Sequence, residues 1–229
     1  MKTCLCLCLL TAVLLSSCAG MHRQQLPQVI EISAAEGLPV SCLQAFPEGQ
    51  WQLVHAIDFR MAGGMRGHAL GVLVLGDDEI RCALMTMEGL TLFEARSRGK
   101  TALEVSRALP PFDNPEFAVG LMEDVRTLFR RPAGTLQYGT TTTGEPVCRF
   151  TDEGTVTDVL PEDDGCWRII TYDADTVATR IITTQACTSA AGTALAGSLT
   201  LTALGTNGYT LSMELVSAEP IAQPLVANP

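Results

Sequence analysis

The chain of 229 residues has a formal net charge of −10 at pH 7, with 47% hydrophobic and 17% charged residues. This length accommodates one large domain, and no break in composition requires a second. An acidic chain without a basic stripe is not expected to bind nucleic acid, because binding to phosphates needs clustered Lys and Arg side chains.

The N-terminus has the pattern of an export signal. Lys2 precedes an apolar run at residues 4–15, which is too short to be a typical membrane-spanning helix. The run ends in the motif LSSC at residues 15–18, which resembles the bacterial lipobox, whose cysteine is acylated and becomes the first residue of the mature protein. A plain secretory signal with an incidental cysteine is the alternative.

We therefore predict a lipoprotein signal peptide at residues 1–17 and acylation of Cys18 by chains such as palmitate. Residues 18–47 are predicted to be a tether that carries the body away from the membrane. By resemblance to other lipoproteins, Ala19 directs the protein to the periplasmic face of the outer membrane.

The stretch at residues 51–107 predicts a meander of antiparallel strands. Apolar and polar side chains alternate from Trp51 to Arg60, which is the period of a strand with one apolar face. Short turns rich in Gly and Asp separate the strands that follow, as expected for hairpins. These strands are predicted at residues 66–75, 79–87, 90–96 and 100–107.

A helix is predicted at residues 114–131. Asn114 is a suitable N-cap, Pro115 suits the first helical position, and Gly134 lies just beyond the helix end. The predicted apolar face contains Phe117, Ala118, Leu121, Met122, Val125, Leu128 and Phe129, and the predicted polar face contains Glu123, Asp124 and Arg126. This helix is expected to pack across the sheet as a lid.

The second half of the chain returns to strands. The Thr- and Gly-rich residues 134–146 are interpreted as a mobile loop or a weak edge strand. Strands are predicted at residues 147–151, 155–160, 166–172, 176–184, 196–204 and 209–216, before a loose tail at residues 218–229. The fold class is therefore mainly β (α+β), an open antiparallel half-barrel of about eleven strands at residues 48–217 with one lid helix.

Five cysteines would remain in the mature body, in a compartment that permits disulfides: Cys42, Cys82, Cys148, Cys166 and Cys187. The number is odd, so at least one thiol stays free, and sequence alone does not define the connectivity. Cys148 and Cys166 are the favoured disulfide candidates because they flank one predicted hairpin.

The sequence has no recognisable catalytic motif, so we expect no enzymatic activity. His55 and His68 would lie on neighbouring strands, but no nucleophile or third metal ligand accompanies them at a suitable spacing. The acidic clusters lack the spacing of a calcium loop and are explained as turns. We predict no metal and no cofactor.

An apolar cavity between sheet and helix is the predicted binding site. Only 5% of the residues are aromatic, and aliphatic side chains alone are not expected to fill the space under the helix. A slip of one residue in strand parity would exchange inward and outward side chains. The predicted lining consists of Leu70, Val72, Leu84, Leu92, Leu121, Met122 and Val125.

Several segments together resemble a family. With the lipobox, the segments LGDDEIRCALMTMEGLTLFEAR, FDNPEFAVGLMEDVRTLF, WRIITYD and GYTLSMEL are similar to uncharacterised bacterial lipoproteins related to the LolA/LolB lipoprotein carriers. The resemblance implies a half-barrel of about eleven strands that binds a hydrophobic cargo, namely an acyl chain, a lipoprotein or a polyene-type lipid. It also implies a role in lipid or lipoprotein transport, with other cell-envelope transport proteins as partners.

The carrier family has an apolar loop at the cavity mouth. Its nearest match in this sequence is formed by Met85, Met87 and Leu90. Two other functions remain open at this point, a structural or assembly lipoprotein of the envelope without a ligand, and a hydrolase.

Overall fold

The computed structural model describes residues 24–32, 40–99, 102–190 and 193–221. The predicted signal peptide, Cys18 and most of the tail lie outside these residues. In the described part of the chain, no helix has the length and apolar character needed to cross a membrane.

Most strands follow one another as hairpins, as the alternating sequence patterns predict. The first half contains β1 (Val29–Glu31), β2 (Trp51–Met61), β3 (Arg66–Leu75), β4 (Glu79–Met85), β5 (Thr91–Arg98) and β6 (Ala102–Ala108). The second half contains β7 (Thr135–Thr141), β8 (Pro146–Asp152), β9 (Thr155–Pro161), β10 (Trp167–Tyr172), β11 (Ala178–Gln185), β12 (Thr188–Ala190), β13 (Thr193–Leu195), β14 (Ser198–Ala203) and β15 (Tyr209–Pro220). The two described helices are α1 (Val40–Gln44) and α2 (Pro115–Phe129).

Thirteen of the described strands form one open antiparallel sheet, and β12 and β13 form a separate hairpin. The order in the large sheet is β1-β7-β8-β9-β10-β11-β14-β15-β2-β3-β4-β5-β6. The predicted mainly β half-barrel is therefore confirmed, with two more strands in the main sheet than the eleven expected. The last strand, β15, pairs with β2 along almost its whole length and joins the two halves.

Helix α2 covers the inner face of the half-barrel. The Asn114 side chain accepts a hydrogen bond from the backbone N–H of Glu116 at 2.9 Å, and Pro115 opens the helix, as the sequence predicts. Met122, Leu128 and Phe129 are buried in the main hydrophobic core together with strand residues from both halves of the sheet.

The Thr-rich residues after the helix are not a mobile loop. They form β7, which is hydrogen-bonded between β1 and β8 and so is not an edge strand among the described residues. A Cβ at Gly139 of this strand would lie 2.2 Å from the Ile30 carbonyl oxygen, so glycine there lets β1 approach closely. Threonine content alone did not reveal this pairing.

The predicted tether packs onto the body wherever the structure describes it. Leu26 and Val29 pack against a second core cluster that contains Val147, Ile170 and Tyr172. The Arg149 guanidinium, paired with Asp158 at 2.7 Å, also donates a hydrogen bond to the Pro27 carbonyl at 2.9 Å.

The predicted disulfide between Cys148 and Cys166 is wrong. Cys148 bonds to Cys42, and Cys166 bonds to Cys187. Cys42 of α1 is buried against β8, a contact between positions 106 residues apart that no local pattern shows. Among the described cysteines, Cys82 is free and buried, in keeping with the expected odd thiol.

Candidate functional site

A cavity of about 370 Å³ lies between α2 and the inner face of β2, β3, β4 and β15. This volume is within the range of about 300–1,000 Å³ that is typical of small-molecule sites. Most of its wall is aliphatic, aromatic or sulfur-containing side chains, and the wall reaches from exposed turns into the core. It is a pocket that suits an apolar ligand.

The sheet wall of the cavity owes its space to small residues on β3. Cross-strand pairs place Gly71 beside His55 and Ala69 beside Ile57, and all four side-chain positions face inward. A Cβ at Gly71 would lie 2.6 Å from Ile57 Cδ1, so the Ile57 side chain occupies the space that a larger residue would need. A larger residue at position 71 would therefore force the Ile57 side chain to move.

The helix wall is formed by one side of α2. Phe117, Leu121 and Val125 line the cavity and are only partly buried by other protein atoms. Gly120 also belongs to this wall, and a Cβ built there would have no neighbour within 4 Å. The cavity therefore has unused room beside the helix backbone.

The mouth of the cavity lies at one end of the sheet. The wall there is formed by Met61, Met65, Asn114, Glu116 and Asn207, which belong to the β2–β3 turn, the start of α2 and the β14–β15 turn. Met65, Asn114, Glu116 and Asn207 are exposed to solvent. An elongated ligand would enter from this end and extend along the strands.

The inner end of the cavity is closed by buried groups. Burial lowers the pKa of His55 to about 4, so this imidazole is neutral at physiological pH. Its ring centroid is 5.5 Å from that of Phe129. Burial also raises the pKa of the Cys82 thiol to about 12, which makes it unreactive at neutral pH. Both groups therefore behave as weakly polar parts of an apolar wall.

One buried polar cluster interrupts the apolar wall. Arg180 Nε donates a hydrogen bond to Asp124 Oδ1 at 2.7 Å, and the Tyr209 hydroxyl donates to Asp124 Oδ2. Burial raises the pKa of the Asp124 carboxyl, although its bonds with Tyr209 and Arg180 oppose this shift. The cluster joins the middle of α2 to β11 and β15.

Two further arginines fix the C-terminal half of the helix to the other side of the sheet. Arg126 donates a hydrogen bond to the Ser97 hydroxyl of β5. Arg130 donates to the backbone carbonyl of Gly76 and, at 3.1 Å, to that of Glu79. These bonds hold the helix at several points along the sheet. Among the described residues, no ion pair joins the start of the helix, near the mouth, to the sheet.

Asp124 was predicted on the polar face of the helix, but its side chain is only 5% exposed. The helical spacing contained the signal, because position 124 lies three residues after Leu121 and four before Leu128, within the apolar stripe. A carboxylate at that position indicates a buried partner on the sheet. Sequence reasoning identified neither Arg180 nor Tyr209 as that partner.

The predicted cavity lining agrees in part with the lining in the structure. Leu84, Leu121 and Val125 line the cavity, and Val72 contributes to its wall. Leu70, Leu92 and Met122 are not among the lining residues. Met122 is packed into the core instead, and Leu70 belongs to the opposite face of β3, because the buried positions of this strand are Ala69, Gly71, Leu73 and Leu75.

The predicted mouth loop lies at the expected end of the sheet, in the turn between β4 and β5. Met87 and Leu90 are exposed, with fractions of 64% and 51%, and Met85 is half-buried at the end of β4. None of the three lines the cavity directly. The predicted site of acylation, Cys18, lies outside the described residues.

The two strand histidines do not form a joint site. His55 faces the cavity, whereas His68 is exposed on the other face of the sheet and pairs with Asp58 across β2 and β3. Within the described residues, no three side chains of the His, Cys, Asp or Glu type are arranged to hold a metal ion.

Sequence comparison identifies no relatives, since neither a family model nor a curated protein matches the chain. Solved structures do match. The LolA superfamily protein NE2245 from Nitrosomonas europaea aligns with a TM-score of 0.53 and 10% identity, covering 84% of this chain and 96% of that chain. A domain assigned to outer membrane lipoprotein sorting, from Vibrio parahaemolyticus, aligns with a TM-score of 0.51 and 13% identity, covering 82% of this chain and 93% of that domain.

At these identities the likeness shows the fold alone. The overall fold of this chain is similar to that of the LolA superfamily protein and of the lipoprotein-sorting domain.

Proposed function

We propose that the protein is an acylated lipoprotein of the cell envelope that binds an apolar chain in the cavity between α2 and the sheet. The observation that carries the proposal is the cavity of about 370 Å³, whose wall is mostly apolar and which opens at one end. An acyl chain of a lipid or of a lipoprotein has the elongated apolar form that suits such a pocket.

The fold supports the same proposal. One structural neighbour is named as a LolA superfamily protein and the other is assigned to outer membrane lipoprotein sorting. Together with the lipobox at residues 15–18, this favours a carrier or receptor on the periplasmic face of the outer membrane, anchored through Cys18.

The proposed role is binding without catalysis. The polar groups of the cavity support this, since His55 is neutral and its contact is with the Phe129 ring, and Asp124 is engaged with Arg180 and Tyr209. A neutral imidazole packed against an aromatic ring and a buried thiol that stays protonated do not favour hydrolysis.

Saturable binding of a fluorescent fatty acid tests the proposal. The protein used is the unacylated body, residues 19–229, exported behind an ordinary signal. Leu121→Asp places a charge in the apolar wall and should weaken binding at least about tenfold, since burying a carboxylate beside an acyl chain costs more than about 1.4 kcal/mol.

Val119→Asp is the matched control, because Val119 lies on the same helix, is 47% exposed and does not line the cavity. The control should bind like the unaltered protein, and circular dichroism should show that both variants are folded. Absence of saturable binding in the unaltered protein would favour the alternative role of an assembly lipoprotein without a ligand.

A further inference from the structure

The N-terminal end of the described chain enters the body at the mouth end of the sheet. The Ala178 N–H donates to the Gln24 carbonyl, and the Leu26 N–H donates to the Thr176 carbonyl, both at 2.9 Å. These bonds place Gln24 beside the turn between β10 and β11, at residues 173–177.

Two further backbone bonds connect this turn with the mouth. The Leu204 N–H donates to the Thr179 carbonyl at 2.8 Å, which joins the β14–β15 turn to the start of β11. The Ala62 N–H donates to the Gly208 carbonyl at 2.8 Å, which joins the β14–β15 turn to the β2–β3 turn. Neighbouring strands are about 4.8 Å apart, so Gln24 lies only a few strand widths from the cavity mouth.

The segment between Cys18 and Gln24 is short. Six residue steps separate the two positions, and even a fully extended chain of that length spans only about 20 Å. If the acyl chains on Cys18 are in a bilayer, the β10–β11 turn cannot be farther than about that distance from the membrane surface.

Three hairpin turns at the mouth end are nearly uncharged. The turns at residues 62–65, 86–90 and 204–208 contain one charged residue in total, Glu88. Their exposed apolar side chains are Met65 (43%), Met87 (64%), Leu90 (51%) and Leu204 (39%). Single exposed apolar residues are ordinary, but hairpin turns are usually polar, and here four such side chains share one end of the sheet.

Two turns at the opposite end of the sheet are acidic. The turns at residues 76–78 and 162–165 carry Asp77, Asp78, Glu162, Asp163 and Asp164. Anionic lipid headgroups repel such turns and do not repel uncharged ones.

The mouth end also has acidic residues outside the three nearly uncharged turns. Asp113 and Glu116 lie at the start of α2, and Glu153 lies in the β8–β9 turn. The β10–β11 turn has Asp173 and Asp175, and Asp173 accepts hydrogen bonds from the N–H groups of Asp175 and Val177 within its own turn. The difference between the two ends therefore lies in the turns at residues 62–65, 86–90 and 204–208.

We infer that the mouth-end turns form a lipid-contacting surface and that the protein stands on its bilayer with the cavity mouth toward the lipid. This inference rests on the proposed acylation of Cys18. The short anchor holds the mouth near the headgroups, the turns at residues 62–65, 86–90 and 204–208 contact the bilayer, and the acidic turns at residues 76–78 and 162–165 face away from it. An acyl chain would then pass between bilayer and cavity without crossing much water.

Quenching of tryptophan fluorescence by brominated lipids tests the orientation. The acylated full-length protein is reconstituted into vesicles of phosphatidylethanolamine and phosphatidylglycerol with brominated acyl chains. Leu204→Trp and Met87→Trp place probes on two mouth-end turns, and Asp163→Trp places the control probe on an acidic turn. The native Trp51 and Trp167 are buried and give the background signal of the unaltered protein.

Both mouth-end probes should lose much of their emission relative to vesicles without bromine, whereas Asp163→Trp should behave like the unaltered protein. Equal quenching at both ends, or no quenching of vesicle-bound protein at either end, would overturn the orientation. A purified protein that lacks the mass of acyl chains would overturn the anchor itself, and with it the inference. Cargo binding is measured on the unacylated body. A failure of the proposed binding function can therefore be distinguished from a failure of the proposed orientation.

Discussion

At the scale of single residues, His55 gives the cavity a dependence on pH. Burial holds the pKa of its imidazole at about 4 in the folded protein, below the ordinary value of 6.5. The folded state therefore resists protonation, while the unfolded state binds the proton below pH 6.5. Stability should fall as the pH drops from about 6.5 to about 4, by a few kcal/mol at most.

The comparison of His55→Leu with the unaltered protein isolates this effect. Unfolding by urea at pH 7 and pH 5 should show a larger loss of stability for the unaltered protein than for His55→Leu, because leucine cannot be protonated. The same pH dependence in both proteins would show that groups other than His55 determine the acid sensitivity.

Asp124 makes the second prediction at this scale. Asp124→Ala leaves the Arg180 guanidinium and the Tyr209 hydroxyl without their shared acceptor and should cost about 2–4 kcal/mol of unfolding free energy. Glu123→Ala is the control, since its side chain is more than half exposed and only 3.6 Å from Arg180, and it should cost less than about 1 kcal/mol. Equal costs in denaturant unfolding would contradict the assigned role.

At the scale of elements, α1 is fastened to the sheet by Cys42–Cys148. This disulfide joins positions 106 residues apart, whereas Cys166–Cys187 joins positions 21 apart. Loop-closure entropy predicts about 5 kcal/mol for the first bond and about 3 kcal/mol for the second. The double variant Cys42→Ala with Cys148→Ala should therefore unfold at lower urea than the double variant Cys166→Ala with Cys187→Ala. The reverse order would refute this account.

Elements with a clear period could be predicted from the sequence. The alternation from Trp51 to Phe59 gave the inward face of β2 correctly, and Asn114 with Pro115 gave the start of α2 to the residue. Elements whose sequence lacks a strong alternation of apolar and polar residues were missed, or were predicted only as loops or weak strands. The threonine-rich β7 has mixed burial on both faces, and its strand character depends on pairing with β1 and β8.

The cavity wall illustrates the limit of local patterns. In β3, Leu70 and Val72 are the bulkier neighbours of Ala69 and Gly71, so size alone suggests that they face the core. The register with β2 instead turns Ala69 and Gly71 inward, because Gly71 pairs with His55 and Ala69 with Ile57. Of the two bulkier residues, only Val72 borders the cavity. The small residues therefore face inward, and the Ile57 side chain occupies the space beside Gly71.

At the scale of the whole molecule, the arrangement of the sheet depends on contacts between distant parts of the chain. The last strand, β15, pairs with β2, which comes early in the chain, and the two strands form one wall of the cavity. This pairing extends to Pro220, beyond the predicted domain end at residue 217. The Asp124 cluster, the Arg149–Asp158 pair and the Cys42–Cys148 disulfide are also long-range or buried features. No local period identifies such partners.

Gly120 offers a way to close the cavity without removing any contact. Its position on the cavity wall has no atom within 4 Å of a built Cβ, so a leucine side chain there has room. Gly120→Leu should also favour the helix by about 0.8 kcal/mol, because glycine is a poor helix former. Val119→Leu, on the exposed side of the helix, is the control.

Native mass spectrometry of the unacylated body incubated with palmitate tests binding in the cavity most directly. The unaltered protein and Val119→Leu should each carry the mass of one fatty acid, and Gly120→Leu should carry little or none although it unfolds at equal or higher urea. An unaltered protein without bound fatty acid, or a Gly120→Leu variant that binds as well as the control, would contradict an acyl chain in the cavity between α2 and the sheet.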